Sequence, residues 1–175
     1  MIQLSFVPLN AQRGVGIIEV LIAVVLLSIG FLATAKMQVN SMSSSSQAYA
    51  LTQARFMTTE MSERMRANRE GLIAGHYRNK RTKAGLSEPT CKSVKTPCTP
   101  AQLAEADFAA WSANLYPANG NPIGFSPTLP GSDDIEAVGF VTYEAATDVY
   151  TVNVQWAELQ DGDYSKRTLQ AKVKP

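Results

Sequence analysis

The chain has a single histidine, His76, only two cysteines, and no proline between Pro8 and Pro89. Each scarcity removes something. One histidine leaves acid–base and nucleophilic constellations short of their commonest member, and neither a glycine-rich phosphate loop nor a paired-carboxylate motif accompanies it. Two thiols without a nearby histidine fall short of the four ligands of a structural zinc site, so neither a metal nor a cofactor is expected. Charge of one sign is also lacking: 16 basic residues face 15 acidic ones, which gives no global pull toward nucleic acid or anionic lipid. The missing prolines have the opposite meaning, because they leave room for one long helix. These absences point away from an enzyme.

What is present begins with Gln12-Arg13-Gly14-Val15-Gly16-Ile17-Ile18-Glu19, which runs straight into the apolar segment Val20 to Ala35. From Val15 to Ala35 there are 21 residues, enough to span about 30 Å of hydrocarbon at 1.5 Å per residue. Glu19 is out of place in such a segment, since an ionised carboxylate at the centre of a bilayer costs roughly 2.5–3.5 kcal/mol even on lenient scales. The octapeptide resembles the class III signal of type IV prepilins. That resemblance implies cleavage by a prepilin peptidase between Gly14 and Val15, N-methylation of Val15, and a glutamate, Glu19, as the fifth residue of the mature chain. Cleavage would create an α-amine on Val15. A cation and a carboxylate that are both unfavourable in lipid can then neutralise each other between neighbouring subunits and set their register.

Other readings of this end stay open. A plain single-pass anchor would look similar, with Glu19 at the interfacial end of the helix, where its cost is small. Ala33-Thr34-Ala35 is a small-x-small sequence that a conventional signal peptidase could cut, releasing a domain from Lys36. Against that, the apolar run exceeds the usual secretory core and its positive region is reduced to Arg13. Removing residues 1–14 removes Arg13 and no acid, which leaves 15 basic and 15 acidic residues. Arg13 before the helix favours the leader on the cytoplasmic side, although Lys36 flanks the other end.

Helical periodicity continues past the membrane segment through Ala50, Ala54, Met57, Met61 and Met65. This predicts one amphipathic helix from about Gly16 to Asn68 or Arg69, stopped at Gly71 and very roughly 80 Å long. Gly30 and the run Ser41 to Ser46 are its weak points. Glu60 and Arg64 form an i,i+4 pair expected on the exposed side, and the methionine stripe is expected to be core.

In an exported protein, Cys91 and Cys98, with six residues between them in the Pro-rich stretch Glu88 to Pro100, are expected to form an intraloop disulfide. A second helix should start at Thr99-Pro100-Ala101-Gln102, a capping box with proline in the first turn, and line one face with Ala104, Phe108, Trp111 and Leu115. Asp107 on that helix is expected to be solvated or capping. Strand-like alternation then occupies Ala137 to Tyr143, Val149 to Trp156 and Arg167 to Val173, separated by Thr147-Asp148 and Asp161-Gly162-Asp163. A three-stranded antiparallel meander follows, its apolar face covered by the methionine stripe.

The whole is similar to the pilin-like α+β fold: a long N-terminal helix packed against a small antiparallel sheet, with a short second helix and a disulfide loop. The segment Ala50 to Asn68, the cysteine pair with Ala104, Asp107 and Trp111, and the strand ending Val152-Asn153-Val154-Gln155-Trp156 resemble PilV-type minor pilins. Val15 and Gly16 depart from the Phe-Thr common in major pilins. The resemblance implies a leader over 1–14, a membrane and assembly half-helix over 15–36, an amphipathic half over 37–70 and an extracytoplasmic domain over 71–175. It also implies inner-membrane location with the domain in the periplasm, partners among other minor pilins and the major pilin, and a role in initiating type IV pilus assembly that supports twitching motility, adhesion and DNA uptake. Incorporation into the surface pilus is an open extension.

A type II secretion pseudopilin shares these features and stays open as the alternative. From another class, Arg78, Lys80, Arg81 and Lys83 beside His76 and Tyr77 form a basic strip with an aromatic that could contact phosphates and a base. A charge run is more often a solvated loop, and direct nucleic-acid binding is not expected.

Overall fold

The computed structural model describes residues 14–91, 97–116, 129–160 and 162–175. Residues 1–13 of the expected leader, 92–96 within the cysteine loop, 117–128 and turn residue Asp161 lie outside the described residues. Two compact units divide the chain, Met1–Met42 and Ser43–Pro175.

The N-terminal unit is helical from Ile17, the start of α1 (Ile17–Ala67). Every described residue up to Ser46 is exposed, and this is the only described helix long and apolar enough to cross a membrane. Gly30 and the serine run remain helical. Hydroxyls on this part of the helix are satisfied within it: the Ser28 Oγ donates to the Val24 carbonyl at 2.8 Å and the Thr34 Oγ1 to that of Phe31 at 2.9 Å. Such back-bonding suits a helix in lipid, where no water is available to the side chain.

In the second unit the later part of α1 carries the expected stripe inward: Ala50, Ala54, Met57, Met61 and Met65 are all buried. The helix ends at Ala67, close to the expected end at Asn68 or Arg69. The difference is Gly71, which is not a stop but lies inside a five-residue helix α2 (Arg69–Ile73) that follows Asn68. Asn68 Oδ1 accepts from the Gly71 N–H at 3.2 Å, capping α2, while its Nδ2 donates to Tyr77 Oη at 2.9 Å and to the Pro100 carbonyl at 2.8 Å. Gly71 is therefore a contact residue within α2, since a Cβ there would lie 2.4 Å from the Asn68 amide nitrogen.

Helix α3 (Pro100–Ala113) has the expected capping box, with Thr99 and Gln102 exchanging bonds and proline in the first turn. Ala104, Phe108 and Trp111 of its expected face are buried, as is Leu115 just past the helix end. The sheet is β1 (Val138–Glu144), β2 (Val149–Gln160) and β3 (Asp163–Val173), antiparallel in that order. β2 and β3 run further than the sequence suggested, because the ladder continues to Gln160 opposite Asp163 and the Glu158 carboxylate pairs with Arg167. Tyr150, Val152, Val154 and Trp156 face the core with the methionine stripe and α3. Gly139 lets β1 meet α3 closely: a Cβ there would lie 2.5 Å from the Trp111 ring, whose indole N–H donates to the Met57 carbonyl at 3.1 Å.

Candidate functional site

The N-terminal segment carries the features expected to be functional. Gly14, Val15 and Gly16 precede the helix, and the Gly16 carbonyl accepts from the Glu19 N–H at 3.0 Å and the Val20 N–H at 3.3 Å. Glu19 thus falls in the first turn, where the exposed N–H groups and the helix dipole favour a negative charge. It has no ion-pair partner among the described residues. A Cβ on Gly14 would meet nothing within 4 Å. The chain's own packing therefore places no demand for a small residue there, and such a demand would have to come from outside it.

Beyond this point the apolar side chains lack cover. Ile17 is 83% exposed and Phe31 73%, and Leu21, Ile22, Val24, Val25, Leu26, Leu27 and Leu32 are exposed likewise. A contiguous apolar surface of this kind marks a membrane or protein contact. The helix's own polar groups are internally bonded, which satisfies the backbone requirement of a spanning segment.

In the second unit, four polar residues that the sequence reading treated as peripheral converge. Tyr77 Oη donates to Asp107 Oδ2 at 2.5 Å, and Arg64 Nη1 reaches Asp107 Oδ1 at 3.4 Å. Arg64 also keeps the expected pair with Glu60, at 2.8 Å, though both side chains are half-buried rather than on the open side. Burial and the hydrogen bond to Asp107 push the Tyr77 phenol well above its ordinary pKa. The cluster ties the end of α1, the turn after α2 and α3 together. It corrects the expectation of a solvated Asp107, which is 9% exposed. The signal was present in the sequence, since Asp107 lies within the apolar face defined by Ala104, Phe108 and Trp111.

The same burial bears on the basic strip. Tyr77 is fully buried and cannot stack on a base. Arg78 lies 4.1 Å above the Tyr143 ring, Lys80 5.9 Å above the Phe108 ring and Arg81 pairs with Glu136 at 3.3 Å, so three of the four cations already have partners. Trp111 is fully buried as well and offers no stacking platform. Cys91 and Cys98 form the expected disulfide. Among the described residues, no group of three or more His, Cys, Asp or Glu side chains is placed to hold a metal ion.

Comparison with known proteins agrees with both halves of this description. Residues 9–35 match the family described as prokaryotic N-terminal methylation motif, and residues 36–109 match the family described as Type IV pilin Tt1218. No curated protein and no solved structure matches the chain. The two adjoining family matches and the pilin-like α+β architecture support a type IV pilin.

Proposed function

We propose that this chain is a minor pilin of the PilV type that helps to initiate type IV pilus assembly from the inner membrane. A prepilin peptidase cuts between Gly14 and Val15, and the new α-amine of Val15 is methylated. Residues 15–36 then hold the protein in the membrane, residues 37–70 continue the helix, and residues 71–175 form the periplasmic domain. The observation that carries this reading is the exposed apolar helix that starts three residues after Gly14 with one carboxylate in its first turn.

Glu19 works here as a register device. Alone in lipid its charge costs roughly 2.5–3.5 kcal/mol on insertion scales, and a neighbouring subunit's Val15 α-amine offsets that cost at one axial position only. Other minor pilins and the major pilin are the partners. Motility, adhesion and DNA uptake depend on the subunit indirectly, through the filament.

Glu19→Ala tests this reading. Insertion of the variant should match or exceed that of the parent, while co-purification of other pilins from detergent extracts and the number of surface filaments should fall. Unchanged association and piliation would return the segment to a plain membrane anchor. A deletion strain that loses secreted enzymes but keeps twitching would instead place the chain among type II secretion pseudopilins.

A further inference from the structure

The two edges of the sheet differ. The outer edge of β1 is covered by the chain itself, where Arg81 bridges Phe140, the Thr82 N–H donates to the Gly139 carbonyl at 2.8 Å and the Val141 N–H to that of Lys80 at 2.8 Å. β3, the opposite edge, pairs with β2 alone and has no further strand among the described residues. Eleven residues with one row of unpaired backbone groups form a template for another strand.

Beside that edge lies a groove of about 480 Å³, lined on one side by Ser44, Gln47 and Leu51 of α1 and on the other by Trp156, Arg167 and Leu169. Trp156 is 4% exposed, and its indole N–H is buried without a hydrogen-bond partner. A buried unpaired donor is costly, because it has given up its bond to water and gained none in return. Leu51 is 37% exposed on the same groove, and Leu169 is only partly buried.

Charge narrows the occupant. Register places Arg167, Leu169, Ala171 and Val173 on the core side of β3, opposite Trp156, Val154, Val152 and Tyr150, and places Lys166, Thr168, Gln170 and Lys172 on the outer side. Lys166 and Lys172 are exposed. Edge lysines discourage pairing with a second copy of the same strand, which would bring lysine toward lysine, and favour a strand that brings carboxylates.

We infer that the β3 edge and this groove form a docking site for an extended segment of a different protein, one that alternates apolar residues toward Leu51, Trp156 and Leu169 with acidic residues toward Lys166 and Lys172. The inference adds a second contact to the assembly role proposed above and does not depend on cleavage at Gly14 or on Glu19.

The test uses the full chain in detergent and two ten-residue probes, one alternating valine with glutamate and one alternating valine with lysine. The glutamate probe should bind, slow hydrogen exchange in residues 163–173 and shift the Trp156 indole N–H resonance. Lys166→Glu combined with Lys172→Glu should weaken the glutamate probe by roughly tenfold, the size expected for reversal of two exposed pairs, and admit the lysine probe. Leu51→Lys should weaken binding with the sheet intact. Binding that leaves exchange in residues 163–173 unchanged, equal binding of both probes, or no binding of the glutamate probe would overturn the inference. Processing at Gly14 and co-purification dependent on Glu19, measured in parallel, report on the assembly role separately.

Discussion

Removing the Asp107 carboxylate tests whether the buried cluster holds the second unit together. In the parent, Tyr77 Oη donates to Asp107 at 2.5 Å and accepts from Asn68 at 2.9 Å. Asp107→Ala leaves the phenol proton without an acceptor in a site where Tyr77 has no exposure, while Arg64 keeps Glu60. A hydrogen bond to a charged group contributes about 1.5–3 kcal/mol, and loss of the side-chain contacts adds to it, so a total near 2–4 kcal/mol is expected. Tyr77→Phe removes the same bond from the other side and should cost about 1.5–3 kcal/mol, because Asp107 retains Arg64 and Asn68 retains the Pro100 carbonyl. The double variant should cost less than the sum by about 1.5 kcal/mol or more, the signature of direct coupling. Urea unfolding of the full chain in detergent, read by tryptophan fluorescence, measures all four corners, since both tryptophans are buried in this unit. Additivity within about 0.5 kcal/mol would refute the cluster as a unit.

Two further outcomes follow from the same unit. Gly139→Ala places a Cβ 2.5 Å from the Trp111 ring and should destabilise by about 1–3 kcal/mol through overpacking, measured by the same unfolding; a neutral result would mean that β1 and α3 can separate without cost. Stability should also fall in alkali: an unfolded tyrosine ionises near pH 10 while folded Tyr77, raised by burial and by Asp107, keeps its proton. That contribution is full below about pH 10 and is lost as pH rises through the folded value, so Tyr77→Phe should flatten part of the decline, and an unchanged slope would exclude Tyr77 as its source.

The elements that were legible in the sequence are those specified locally. The Thr99–Gln102 capping box, the methionine stripe and the alternation of β2 each depend on residues close together in the chain. The end of α1 was legible to within two residues, but the short helix α2 after it was not, because the partners that fix Asn68 as its cap, Tyr77 and Pro100, arrive from later segments. The full length of the β2–β3 hairpin escaped for a related reason: Glu158 and Gln160 on β2 and Asp163, Ser165 and Lys166 on β3 blur the apolar alternation, and only the ladder between the two strands shows that they pair. At the candidate site, Gly14 and Glu19 stood out through their mismatch with the apolar surroundings, whereas the Trp156 groove became visible only when α1 and β3 were side by side.

The most direct measurement is the intact mass and N-terminal residue of the protein recovered from membranes. The account predicts a chain that begins at Val15, lacks residues 1–14 and carries a methylated α-amine, with a bulky residue at Gly14 blocking that processing. A chain that retains residues 1–14, or one that begins at Lys36, would contradict it.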